Sequence, residues 1–226
     1  MKRIVLLIFI ACLFVLSGCQ QQPSEKVLRY QENSEIIGTE KDEIIGEISD
    51  TIYESIDRSN SGAEEVVLFP IDREGEDIIL PEGRYMITGG QSGNVIVNDE
   101  HGVLLFHGIL DQAYGVASVT VDVNGSHSVH VDGLEEASIT PVTTQLSNQL
   151  STGIWEVGKD IEEGDYSVMA DSGYAFGDLQ IFEEGESTKV YEIIDSSPDS
   201  KIKVHLQDGQ KIKITGVSNL QFEPQS

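Results

Sequence analysis

Residues 119–141 align with residues 202–224 without a gap, and apolar residues fall on apolar residues throughout. Val123 lies on Leu206, Val129 on Ile212, Val131 on Ile214 and Ile139 on Phe222. Only Val121/Val204, Gly133/Gly216 and Pro141/Pro224 are identical, so the two stretches share a pattern more than a sequence. Upstream, Gly83-Arg-Tyr85 matches Gly164-Asp-Tyr166, and Gly93-Asn-Val-Ile-Val97 matches Gly177-Asp-Leu-Gln-Ile181. A chain that repeats its pattern in this way folds as two copies of one unit, here of roughly 70 residues.

The pattern has period 2. Val66–Phe69, Arg84–Ile87, Asn94–Val97 and Val103–Phe106 are short apolar or alternating runs, and Val119–Val123 and Val129–Val131 alternate strictly. Gly, Asn, Asp and Pro punctuate them. Short strands at roughly 8–12-residue spacing indicate an all-β sandwich or barrel. The absence of long helical patterns between them argues against a parallel βαβ sheet. The expected fold class is therefore all-β: two tandem antiparallel β-sandwich-like units at 63–143 and 153–226, with a linker at 144–152. Whether they stand apart or merge into one pseudo-symmetric body is left open by the pattern. Ile202–Leu206 and Ile212–Ile214, joined by Gln207-Asp208-Gly209, read as a hairpin with Val204 opposite Ile212 and Lys203 facing Lys213. Gly209 is expected in the left-handed conformation. Asn124-Gly125-Ser126 keeps the same parity in the first copy. Gly89-Gly90-Gln91-Ser92-Gly93 also reads as a hairpin turn, with no lysine after it to hold a phosphate.

The N-terminus is of another kind. Lys2 and Arg3 precede an unbroken apolar run, Ile4 to Leu16. That run is shorter than the roughly 20 residues a transmembrane helix needs, and has the length of a signal-peptide core. Leu16-Ser17-Gly18-Cys19 follows, and resembles the bacterial lipobox. The resemblance covers the first nineteen residues only. It implies a signal peptide at 1–18, cleavage between Gly18 and Cys19, and acylation of Cys19 with diacylglyceryl and palmitate-type chains. Two acyl chains give stable anchoring, at about 0.8 kcal/mol per buried CH₂. The expected location is the extracytoplasmic face of the cell membrane. The other cysteine, Cys12, leaves with the signal, so the exported chain carries no disulfide or Cys-based metal site.

Residues 19–62 read as an acidic tether, dense in charge and with few aromatics until Tyr53. Within it Ile44, Ile45, Ile48, Ile52 and Ile56 recur at spacings of three and four, which predicts a helix near 41–58. Its apolar stripe has two uses open to it: packing on its own domain, or docking to an envelope membrane complex.

Trp155-Glu-Val-Gly158-Lys-Asp160-Ile-Glu-Glu-Gly164-Asp-Tyr166 resembles a repeat of uncharacterised secreted proteins and lipoproteins of Gram-positive bacteria, of the form W-x-V-G-x-D-I-x-x-G-x-Y. The first copy lacks the tryptophan and is the more diverged. The resemblance implies a β-rich extracytoplasmic module and brings no activity with it.

The formal net charge is −25, and losing Lys2 and Arg3 with the signal takes it to −27. Such a chain repels nucleic acid and anionic headgroups. Carboxylate-rich turns leave weak calcium binding open, although no loop has EF-hand spacing. None of the five histidines forms a His-x-His or His-x₃-His pair; His130 and His205 fall on the polar side of expected strands, His101 and His127 in turns. No catalytic residue, cofactor or metal site is assigned. Trp155, Tyr174 and Phe176 are the side chains expected to face a ligand if they do not pack over the sandwich. The expected role is a non-catalytic, membrane-anchored module that binds an envelope protein or glycan. The alternative is an accessory lipoprotein docked to a membrane complex.

Overall fold

The computed structural model describes residues 43–111, 116–170, 176–186, 190–195 and 202–225, together with Ser24 and Leu28. In the first copy the period-2 runs become β1 (Val66–Leu68), β2 (Glu76–Ile79), β3 (Gly83–Gly89), β4 (Ser92–Asn98), β5 (Leu104–Asp111), β6 (Val119–Val123), β7 (Ser128–Asp132) and β8 (Ala137–Pro141). They form two antiparallel layers ordered β1-β8-β3-β6 and β2-β7-β4-β5. Every connection except β4 to β5 crosses between the layers, which is jelly-roll connectivity. Alternation decides which side chains enter: Val95, Val97, Val129 and Val131 are buried, while Asn94, Ile96, Ser128 and His130 face outward.

The second copy repeats this plan with fewer breaks. Its strands are β9 (Gln149–Glu156), β10 (Gly164–Ala170), β11 (Phe176–Phe182), β12 (Val190–Asp195), β13 (Ile202–Leu206) and β14 (Lys211–Pro224). β14 serves both layers: residues 211–215 pair with β11, residues 220–224 with β10. β9 bends with it, and the register slips between Ile214 and Asn219. Thus β9 corresponds to β1 plus β2, and β14 to β7 plus β8.

The registers explain the few identities between the copies. Tyr85 sits between Val121 and Pro141, and Tyr166 between Val204 and Pro224, so each identical triplet is one cross-strand row. Tyr85 donates its hydroxyl to the Pro81 carbonyl (2.9 Å) and Tyr166 to that of Glu162 (3.0 Å), four residues back in each case. Gly133 and Gly216 turn the same corner with φ of 73° and 74°. A Cβ there would lie 3.1 Å from the Gly93 Cα and 2.8 Å from the Gly177 Cα respectively, so glycine faces glycine in both copies.

Several expectations change. β13 pairs with β10, and the start of β14 with β9 and β11, so the stretch 202–214 is an arch between layers and not a hairpin. Lys203 lies opposite Ser167, and Lys213 opposite Gln180 and Ile154. Gly89–Gly93 likewise joins β3 to β4 across layers. An alternating strand buries one face whether its partner lies beside it or across the core, so alternation alone could not separate the two cases. The left-handed glycines do occur, at Gly125 (φ 85°) and Gly209 (φ 82°).

The expected linker is partly strand, since β9 begins at Gln149. In place of a continuous helix near 41–58, residues 43–45 are helical, Gly46 takes φ 69°, and Asp50–Tyr53 forms a 3₁₀ turn. Ser49 caps that turn by accepting from the Thr51 N–H, and donates to Asp99 Oδ2 at 2.5 Å. Ile45, Ile48 and Tyr53 pack on the first core and Ile52 enters it. The end of the tether is therefore part of the folded body.

The copies are merged. β6 and β9 meet in parallel at Thr120 and Gly153, which makes one ten-stranded sheet. A Cβ on Gly153 would collide with the Thr120 carbonyl, so the approach requires glycine. Ile154 and Phe182 of the second copy join the core of the first. The second core is built around Tyr166 and Phe222, packed edge to face at 5.9 Å.

Candidate binding face and ionic seam

The outer face of β2-β7-β4-β5 carries a chain of polar contacts across all four strands. His130 on β7 has Nδ1 3.0 Å from Asp77 Oδ1 on β2, and Nε2 3.3 Å from Asp132 Oδ2. Asn94 on β4 donates Nδ2 to Asp132 Oδ1 at 2.7 Å, and its Oδ1 lies 3.2 Å from His107 Nε2 on β5. Register produces the row, because Asp77 pairs with His130, His130 with Ile96, and Ile96 with His107. Partly exposed Ile96 and exposed Ile109 add apolar surface between the polar groups. Ser128, His130 and Asp132 share this face of β7, but Nδ1 of His130 is held by Asp77 on the neighbouring strand, and its Nε2 lies beside the Asp132 carboxylate and not beside a hydroxyl. The arrangement suits recognition by complementary donors and acceptors better than activation of a hydroxyl.

In the second copy the equivalent face is partly covered, with Asp178 and Thr215 still half-buried at its surface. His130 corresponds to Lys213, Asn94 to Asp178, Ile96 to Gln180 and Asn98 to Phe182, and Lys213, Gln180 and Phe182 are all buried. The cross-strand pair persists with its roles exchanged: Thr215 Oγ1 donates to Asp178, where Asn94 donates to Asp132. Burial lowers the pKa of Lys213, against the charge of Asp178, which raises it.

A buried ionic cluster clamps the two copies together. From the first copy's side come Arg58, Arg84 and Asp122; from the second's, Asp160, Glu156 and Lys211. Arg84, 1 % exposed, donates Nε to Asp122 Oδ1 at 2.9 Å, Nη2 to Asp160 Oδ2 at 2.8 Å, and Nη1 to Asp160 Oδ1. Arg58 repeats the bridge, to Asp122 Oδ2 at 2.6 Å and Asp160 Oδ1 at 3.1 Å. Burial opposes the Arg84 charge, but the bonds and charges of Asp160 and Asp122 outweigh it and raise its pKa. Glu156 takes Lys211 at 2.7 Å and Lys159 at 3.0 Å; burial would raise its pKa, and these two lysines hold it below the ordinary value. Asp160 also accepts from the Glu156 N–H at 2.8 Å, so the Val-Gly-x-Asp turn positions its carboxylate for the arginines.

Of the side chains expected to face a ligand, Trp155 lies under the Arg84 guanidinium, 5.0 Å from its ring centroid, and donates Nε1–H to the Ser151 carbonyl at 2.7 Å. Phe176 is 74 % exposed at the start of β11. Tyr174, Gly18, Cys19 and the signal segment lie outside the described residues. The sequence reading missed both the His107–His130 row and the Arg84–Asp160 bridge. Each joins residues far apart in the chain through a register or a seam that no local spacing encodes.

His127 is buried, with no hydrogen-bond partner on either ring nitrogen. Burial lowers its pKa, against the pull of the Glu54, Asp99 and Glu100 carboxylates and the Asp122 backbone carbonyl. Among the described residues no group of three or more His, Cys, Asp or Glu side chains is arranged to hold a metal ion. Among them, too, no helix is long and apolar enough to cross a membrane.

The fold and face together define a tandem jelly-roll protein with one open and one partly covered outer sheet face. Comparison with protein-family models and with curated proteins finds no match.

Proposed function

We propose that this chain is a bacterial lipoprotein, anchored through Cys19 at the extracytoplasmic face of the cell membrane. It acts there as a non-catalytic module that binds an envelope protein or glycan on the outer face of β2-β7-β4-β5. The observation that carries the binding reading is the chain Asp77–His130–Asp132–Asn94–His107, which reaches the surface in the first copy, whereas in the second copy buried Ile154 and Lys213 stand in place of Asp77 and His130. A jelly roll by itself implies no particular function, so the argument rests on this surface. The anchoring reading rests on Leu16-Ser17-Gly18-Cys19 and the apolar run before it. The isoleucine segment packs Ile45, Ile48 and Ile52 on its own body, which weighs against its use as a docking helix.

Labelled palmitate fed to cells expressing the full chain should be incorporated, and Cys19→Ala should abolish the labelling. Equal labelling of the variant would refute the anchor. Immobilised mature chain should retain a specific envelope component in the presence or absence of calcium.

A further inference from the structure

Before the first strand, residues 43–56 cross the body as a strap that belongs to neither sheet. Ser49 holds it, donating its N–H to the Leu104 carbonyl at 2.8 Å and its hydroxyl to Asp99, and Glu54 accepts from Asn124 Nδ2 at 2.7 Å. Ile45, Ile48, Ile52 and Tyr53 add apolar contact with the first core. The packing beneath is incomplete. A cavity of about 10 Å³, room for no more than one water, lies between Ile52, Glu54 and Ile56 of the strap and Leu105, His127 and Lys211 of the body. Another, of about 190 Å³, has Ile45, Asp50 and Tyr53 on one side and Phe182 and Glu186 of the second copy on the other. From Asp57 the chain is fixed again, by its N–H to Glu82 and by the Arg58 ion pairs.

His127, on the wall of the smaller cavity, is 1 % exposed, and neither ring nitrogen has a hydrogen-bond partner. The charges around it are already engaged. Glu54 on the strap is bonded to Asn124. Asp99, in the β4–β5 turn, accepts from Ser49 and from the His101 and Val103 N–H groups. Asp122 on β6 takes Arg58 and Arg84. Glu100 is exposed beside Asp99, and Lys211 on β14 brings a positive charge, paired to Glu156, to the same wall. An imidazolium enclosed here gains neither a free acceptor nor a hydration shell, the costly way to bury a charge. The nearby carboxylates and the Asp122 carbonyl favour the proton, but burial outweighs them and lowers the pKa of the ring. Of the cavity walls, the strap is the one that no sheet ladder holds.

We propose that residues 43–56 are a releasable strap, which leaves the body when the His127 ring is protonated and so makes the joint between tether and body acid-sensitive. Lifting Ile52, Glu54 and Ile56 opens the cavity and lets water solvate the imidazolium. The open state takes up its proton near pH 6.5 and the closed state only below that, so between the two values each pH unit favours opening about tenfold more. The consequence for reach rests on the lipid anchor at Cys19: the freed strap then lengthens the tether by up to about 45 Å. Release itself does not depend on the anchor.

Hydrogen exchange of the full mature chain without its lipid, corrected for the intrinsic pH dependence of exchange, tests release separately from anchoring. As pH falls below about 6.5, the amides of Ser49, Ile52 and Glu54 are expected to lose protection by up to about tenfold per pH unit, while those of β4 and β7 keep theirs. The His127 ring, followed by NMR in the same chain, should titrate over the same range. His127→Gln, neutral throughout, should make strap protection independent of pH. A ring that titrates while the strap stays protected overturns the proposal without recourse to the variant. So does loss of protection in strap and β7 together, which is unfolding of the whole body, or a strap that opens equally with acid in His127→Gln.

Discussion

Arg84 on β3 and Asp160 in the turn after β9 are 76 residues apart in sequence, yet they form a two-pronged ion pair with 1 % and 0 % of their surfaces exposed. This pair ties the first copy to the second. Asp160→Ala leaves two guanidinium groups, Arg84 and Arg58, short of a buried partner, a loss that typically costs about 3–5 kcal/mol. Urea unfolding should register that loss. Arg84→Ala combined with Asp160→Ala should fall short of the sum of the singles by about 0.5–3 kcal/mol. Additive effects would mean that the pair does not couple the copies.

The two corner glycines should differ in tolerance. At Gly216 a Cβ would meet the Phe176 carbonyl at 2.5 Å, whereas at Gly133 the nearest atom is 3.1 Å away. Both have positive φ, so alanine is strained at either. Gly216→Ala should destabilise by more than about 1 kcal/mol, and by more than Gly133→Ala does. The reverse order in thermal melts would contradict the corner geometry.

The tyrosine hydroxyls should behave as equals. Tyr85→Phe and Tyr166→Phe each remove one bond to a carbonyl four residues back, worth about 0.5–1.5 kcal/mol. Similar losses in urea unfolding are expected, since the two copies use the residue identically; an effect confined to one copy would break the equivalence.

Much of this architecture was legible in the sequence, for identifiable reasons. Val129 and Val131 alternate with Ser128 and His130 because one face of β7 is buried, and the same parity recurs at Ile212 and Ile214. The GxY pairs marked equivalent strand starts because each tyrosine lies in the same cross-strand row. Pairing was not legible: Val204 and Ile212 alternate correctly for a hairpin, but equally for opposite layers. The helix near 41–58 failed because Gly46 adopts positive φ and Ser49 caps a new turn, while the isoleucine spacing suited burial of Ile45, Ile48 and Ile52 along an irregular path. The polar row was illegible because His107 and His130 are joined only through β4.

Acid should destabilise the fold through His127. Its pKa is lowered in the folded state, so it stays neutral there while the unfolded chain takes up a proton near 6.5. Stability is thus full above about pH 6.5 and falls as pH drops below that value toward the lowered folded pKa. His127→Leu should flatten this part of the stability–pH profile below about pH 6.5. An unchanged slope in the variant would assign the effect elsewhere. Glu156, whose pKa is lowered by Lys211 and Lys159, contributes at lower pH, where its protonation weakens the seam.

The most direct test of the binding face compares retention of envelope components by the native mature chain and by the triple variant Asn94→Ala/His107→Ala/His130→Ala. The changes lie on the open face and touch neither core nor ionic seam, so the unfolding midpoint should move by less than the loss of a core residue would cause. A component held by the native chain and lost by the variant at matched stability is the predicted result. Equal retention by both would show that the open face is not where this protein binds.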